Sequence, residues 1–366
     1  MSYPILYNSN ETKFDNNGIG ILSDCVSCEV VEEANGMFEL SMKYPMDGIH
    51  FYGITTRSII KAKIDEYRSP QLFRVYSISK PMFGIVTVLA AHISYDLSDI
   101  PIPPFYAGSV NQAFDVFVRD AITPCRFYFW TDHDSAVEIT SSVPKSIRSM
   151  LGGSEGSILD VVGGEYEFDN YTVNLHKQRG QDRGFSVRYG KNLVDIQQDQ
   201  NCANVATGVY PYWYGDPGEI GTALIELPEK VVNAPGTYDF SKIRVVDFSG
   251  DFETPPTEEQ LRDVTTKYIK NNQIGVPAVS ISVSFVKLSQ SKEYESLAMF
   301  EQVGLFDVVH VEFPDLGVSA SAKVVKMVHD IILEKVKSIT IGSVRQNLAD
   351  TIAGYGGTIS AEVQPR

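Results

Sequence analysis

A mainly β protein with α+β parts, divided into several domains, is predicted by three observations. Apolar residues alternate with period two through the first hundred positions and again after residue 164. A proline-rich break near residue 100 separates stretches of different periodicity. Only a few segments carry the 3.6-residue spacing of an amphipathic helix. The chain has 366 residues, room for two to four domains of about 100–200 residues each.

From Gly36 to Tyr44 the apolar positions are Phe38, Leu40, Met42 and Tyr44, a strand with one buried face. Further strand-like runs follow at Ser58–Asp65, Gln71–Ser79 and Gly84–Tyr95. Turn residues separate them, at Asn35-Gly36, Pro45 to Gly48, Arg68 to Pro70 and Lys80-Pro81. Short strands at this spacing predict an antiparallel barrel or sandwich.

Ile100 to Pro104 holds prolines at 101, 103 and 104, which neither a helix interior nor a central strand accepts. Ser109 then caps a helix whose apolar face is Val110, Ala113, Phe114, Phe117, Val118 and Ala121, with Pro124 as its end. A strand-like run at Arg126–Trp130 follows. Two short helices are expected at Ser146–Met150 and Ser157–Val162, each closed by a Gly-Gly pair, at 152–153 and 163–164. Strands resume at Glu165–Asp169, Tyr171–His176 and Gly184–Tyr189. Thr257 to Gln260 is a capping box opening a helical insert over 250–276, with Leu261, Val264 and Tyr268 on one face. The last strands are expected at Ala278–Leu288, Asp307–Phe313, Val318–Ile332 and Lys335–Gly342. A short amphipathic stretch covers Val344–Ile352, before a glycine-rich tail at 354–357. No repeat of fixed period and no low-complexity tract interrupts the chain.

The net charge of −15 comes from 46 acidic and 31 basic residues, which argues against a basic face for nucleic acid or a polybasic membrane anchor. No stretch approaches the roughly 18 apolar residues of a membrane span. The first residues lack the basic and apolar regions of a signal peptide, so folding in the cytoplasm is expected.

Four cysteines, Cys25, Cys28, Cys125 and Cys202, are too few for a disulfide scaffold. Cys25 and Cys28 form a lone C-x-x-C without a second ligand pair. Their surroundings read as a strand, where positions three apart face opposite sides, so reduced, partly buried thiols are expected. The dinucleotide, P-loop and H-E-x-x-H motifs are missing. Asp132-His133-Asp134 is the one place where metal ligands adjoin, and without partners from elsewhere it reads in preference as a solvated turn. Glu165, Glu167 and Asp169 share a strand face about 6.5–7 Å apart, read either as a hydrolase acid–base pair or as an exposed acidic face. Lys177, Arg179, Arg183, Arg188 and Lys191, in a stretch with Asp182 and Asp195, suit a phosphate or intersubunit ion pairs. The aromatic run Tyr210 to Tyr214 suits a sugar platform or, in preference, packing. No catalytic, cofactor or metal residue is assigned.

Three motifs carry a resemblance. They are L-G-G-S-E-G-S from Leu151, R-G-Q-D-R-G from Arg179, and R-Y-G-K-N from Arg188, supported by Val303 to Val311 and a strand pair ending at Gly342. Together they resemble the N-terminal hub region of the phage and prophage tail-associated lysin and tail endopeptidase family, which is similar to the baseplate hub of contractile tails. The resemblance implies two antiparallel β-barrel hub domains plus a mixed α/β domain and a small helical insert. It places them at 1–100, at 105–180, at 181–249 with 277–343, and at 250–276, followed by a C-terminal helix and tail at 344–366. It further implies a homotrimeric, non-enzymatic ring at the virion tail tip, assembled in the bacterial cytoplasm. Its partners would be the distal tail protein, the tape-measure protein and fibre or lysin components, with DNA only passing through the lumen. The alternatives are a tail-associated peptidoglycan hydrolase and a host-carbohydrate binding module.

Overall fold

The computed structural model describes residues 2–65, 68–79, 81–82, 84–154, 156–201, 206–215, 223–252, 254–271, 274–275, 278–285, 303–313 and 318–342. The stretch expected at 344–352, the glycine-rich tail and Cys202 lie outside them. The chain forms two compact units, Met1–Gln197 with Ile281–Arg366, and Gln198–Ser280.

In the first unit, Ser27–Glu33, Phe38–Pro45, Ile85–His92, Gln71–Ser79, Ile59–Ala62, Ile5–Tyr7 and Gly20–Ile21 lie side by side, every pair antiparallel. The expected alternation holds: Phe38, Leu40, Met42 and Tyr44 are all buried in one apolar cluster with Val30, Phe73 and Val88. Burial of such a side chain contributes about 1.5–3 kcal/mol, so this face alone accounts for much of the cohesion.

The free side of Ser27–Glu33 pairs antiparallel with Val318–Asp330, Lys326 lying opposite Glu33 and Asp330 opposite Glu29. That strand is 13 residues long, enough to pair along its length with Val308–Phe313, Lys335–Gly342 and Ser27–Glu33. One sheet therefore runs through both ends of the chain, and no closed barrel is found among the described residues. The fold is mainly β with a few helices, as predicted.

The mixed segment follows its sequence closely. The helix Val110–Arg119 starts where expected, the Ser109 hydroxyl accepting from Gln112 N at 3.2 Å. Val110, Ala113, Phe114 and Phe117 are buried, whereas Val118 is half exposed and Val116 takes the inner position instead. The helix stops at Asp120, before Pro124. Helices Ile147–Leu151 and Ile158–Val162 match the two short ones predicted. Gly163 and Gly164 end the second in the left-handed region, with φ of 68° and 110°. The strand Tyr128–Thr131 pairs parallel with Thr172–His176, which pairs antiparallel with Glu165–Asp169.

In the second unit, Gly208–Gly215 pairs antiparallel with Ala223–Glu226 and Val232–Asn233 and parallel with Ile243–Asp247. The helix Glu258–Asn271 opens with the predicted capping box: Thr257 N donates to Gln260 Oε1 at 2.8 Å and Gln260 N to Thr257 Oγ1 at 3.3 Å. Its Leu261 is buried with Leu227 and Phe248.

Candidate functional site

The motif segments 179–188 and 303–312 meet in the first unit. Asp182–Arg188 runs parallel to Val308–Phe313, placing Val187 opposite Val311 and Arg188 opposite Glu312. The loop before that strand is fastened at several points. Gln181 N donates to Asp307 Oδ1 at 2.7 Å, and Val308 N to the Gln181 carbonyl at 3.1 Å. Arg183 lies 3.9 Å from Asp307, and Arg179 sits over the Phe306 ring with its guanidinium carbon 5.2 Å from the centroid. A Cβ on Gly180 would fall 2.2 Å from the Phe306 carbonyl oxygen, so only glycine fits there. Phe306 itself is fully buried with φ of 72°, a conformation that bulky residues avoid unless the surroundings enforce it. Farther along the strand pair, Asp182 accepts from His310 Nε2 at 3.0 Å and Arg188 pairs with Glu312 at 3.0 Å. Hydrogen bonds from Gly184 N and then from His310 hold the Asp182 carboxyl below its usual range.

Two members of the carboxylate row, Glu165 and Glu167, are committed to this junction. Glu165 is buried rather than exposed. It accepts from Arg179 N at 2.6 Å and is ion-paired with Lys323. Glu167 receives Arg179 Nη2 at 3.1 Å, Asn174 Nδ2 at 3.2 Å and His176 Nε2 at 3.3 Å. Burial pushes its carboxyl up, but Arg179, Asn174 and His176 outweigh burial and hold it low. A general acid needs the opposite shift. Asp169 accepts from Gln71 Nε2 at 2.6 Å. The exposed acidic face expected from the sequence is thus replaced at Glu165 and Glu167 by ion pairs, the cations coming from Lys323 and Arg179, and at Asp169 by the Gln71 amide.

The remaining candidates are separated. The basic cluster is taken up in ion pairs: Lys177 pairs with Asp134, Arg179 with Glu167 and Arg188 with Glu312. Asp132 and Asp134 both hold Lys177, the first through its backbone N–H, the second through Nζ. The turn they form clamps the chain after His176. Among the described residues no group of three or more His, Cys, Asp or Glu comes together to hold a metal. Cys25 and Cys28 face the same core, against expectation, because Cys25 precedes the strand, which begins at Ser27. The Cys25 contact and burial push the Cys28 thiol well up. In the second unit Trp213 is buried, its Nε1 donating to the Phe252 carbonyl at 3.3 Å, while Tyr214 is exposed. Residues 152–156 have the G-x-S-x-G spacing of a hydrolase nucleophile elbow, which the sequence analysis does not pick out. Ser154 lies between two helices rather than on a strand-to-helix turn, and its hydroxyl donates to the Ser149 carbonyl at 2.9 Å.

Residues 181–352 match the family described as prophage endopeptidase tail. Three solved structures share the fold over nearly their whole length. They are prophage tail protein gp18 from Listeria monocytogenes EGD-e (TM-score 0.58, 16% identity, 96% of this chain and 98% of that one), the 43 kDa tail protein of prophage MuSo2 from Shewanella oneidensis (0.60, 11%, 94% and 99%), and a tail protein from Neisseria meningitidis MC58 (0.57, 8%, 95% and 98%). The chain is similar to prophage tail proteins. This agrees with the resemblance carried by the 179–193 and 303–342 motifs. No curated protein matches in sequence. Among the described residues no helix of this tail-like chain is long and apolar enough to cross a membrane. The partners that fasten the junction, Lys323 and the left-handed Phe306, carry no local sequence signal, since both act across more than a hundred residues of chain.

Proposed function

We propose that the chain is a structural subunit of a phage or prophage tail tip, a hub rather than an enzyme. Three copies form a ring that joins the tail tube and distal tail protein to fibre or lysin components. The two β-rich halves of each subunit complete barrel-like layers of that ring, and the tape measure and DNA pass through its lumen. The observation that carries this reading is the fold shared with three prophage tail proteins along almost their entire lengths. The acidic balance of the chain, 46 against 31, suits a lumen that does not retain phosphate. Negative-stain images of the purified protein test the proposal: rings with threefold symmetry are expected, and isolated single-chain particles would count against it.

The family description includes endopeptidase activity. For this chain the carboxylates Glu165 and Glu167 are engaged in ion pairs instead. A zymogram on bacterial cell walls separates the two readings, since a hub leaves the walls intact and a hydrolase clears them.

A further inference from the structure

The three-stranded sheet of the first unit buries one face, and the other is open along its edge strand Tyr128–Thr131. Phe129, Val173, Leu175, Tyr166 and Phe168 face the apolar core. On the other side the edge strand presents Tyr128, 75% exposed, and Trp130, 49% exposed. Register places Thr172 and Asn174 beside them and Glu167 beyond Asn174. Edge strands ordinarily carry charged side chains or proline as protection against unwanted pairing. Two exposed aromatic rings at alternate positions are the reverse of that pattern.

We propose that this face is a binding shelf for a neutral oligosaccharide. Tyr128 and Trp130 stand about 6.5–7 Å apart along the strand. That spacing lets each ring stack against the C–H face of a separate sugar of a linear chain. Among the described residues no protein acceptor takes the Trp130 indole N–H or the Tyr128 hydroxyl, and the Asn174 amide spends only one N–H, on Glu167. These groups remain for sugar hydroxyls. The Trp130 ring leans on His176, with centroids 5.2 Å apart and planes at 57°, which fixes its pose before a ligand arrives. The charge at the back of the shelf is already answered: Glu167 lies between Arg179 at 3.1 Å and His176 at 3.3 Å. An ionic ligand would have to displace those partners, whereas hydroxyl groups only add to them. A protein partner would call for an apolar centre, and the Thr172, Asn174 and Glu167 side of this face is polar.

The shelf does not rest on the hub reading, and its test is separate from it. The full-length protein is applied to a printed glycan array beside the Tyr128→Ala/Trp130→Ala variant. Both substitutions are at exposed positions, and circular dichroism checks that the fold is kept. Binding to neutral glycans that falls at least tenfold in the variant is expected. An array with no bound glycan, binding that the variant retains, or binding confined to charged glycans would overturn the proposal. A second readout uses the protein's two tryptophans. In Trp213→Phe the emission comes from Trp130 alone, and chitohexaose or a neutral glycan found on the array is titrated in. A saturable change lost on Asn174→Ala is expected; a flat titration with every such sugar would overturn the assignment of Trp130. Ring assembly is measured separately on the wild type and the variants, so failure of the shelf leaves the hub reading standing.

Discussion

Gly180 backs onto Phe306. A Cβ at position 180 would stand 2.2 Å from the Phe306 carbonyl oxygen and 2.7 Å from Asp307 N, and the two residues have φ of 66° and 72°. The glycine of one motif is therefore required by the backbone of another, more than a hundred residues away. Gly184 in the same motif also has positive φ, 74°, but nothing lies within 4 Å of its Cβ position. The pair gives a controlled comparison. Gly184→Ala is expected to cost about 1–2 kcal/mol from backbone conformation alone. Gly180→Ala adds a clash with backbone and is expected to cost at least about 3 kcal/mol. Urea denaturation of the two variants checks the order; equal losses would remove the close approach from the account.

Glu165 and Lys323 are ion-paired, with side chains 10% and 26% exposed. Removing one partner leaves the other without its counter-charge, so Glu165→Gln is expected to cost about 2 kcal/mol. Lys323→Met should cost a similar amount, and the double variant less than the sum of the two. Strict additivity in a double-mutant cycle would show that the pair contributes nothing specific.

Glu32 is buried and held bidentately by Arg68, at 3.0 and 2.8 Å. Burial raises its carboxyl, but Arg68 outweighs burial and keeps it below the usual range. Glu32→Gln is expected to destabilise the first unit by about 3 kcal/mol, read as a lower thermal midpoint. An unchanged midpoint would contradict this.

Stability is expected to fall in acid in two stages. Burial first, then the charges of Arg148 and Arg68, push His92 well below its ordinary value. The unfolded chain protonates that ring below about pH 6.5 while the native state does not, so stability drops as pH falls through that region. Glu32 and Glu167 have lowered folded values. Their contribution is complete above about pH 4.3 and is lost as pH falls through those folded values. Urea midpoints at about pH 7.5, 5.5 and 3 follow both stages. A flat profile would contradict the His92 part.

Much of the fold was legible because its signals are local. The Ser109 cap, the Thr257 and Gln260 box, the alternation through Phe38 to Tyr44 and the Gly163-Gly164 stop each act within a few residues, and each is found as read. What escaped the sequence is non-local. Lys326 pairing opposite Glu33 joins the two ends of the chain in one sheet, and no periodicity encodes a partner about 300 residues away. Glu165, Glu167 and Asp169 look like a solvated row when their strand is taken alone, yet Lys323 and Gln71 arrive from distant segments, and Arg179 from beyond the next strand, to meet them. Cys25 and Cys28 show the limit of a local rule. Strand alternation fails for them because the strand starts two residues after Cys25.

The hub reading stands or falls on self-association. Sedimentation equilibrium of the purified full-length chain, over a range of concentrations up to about the complex-forming regime of micromolar interfaces, measures it without a label or partner. The account predicts a species of three chain masses whose fraction rises with concentration. A single chain mass at every concentration would contradict it.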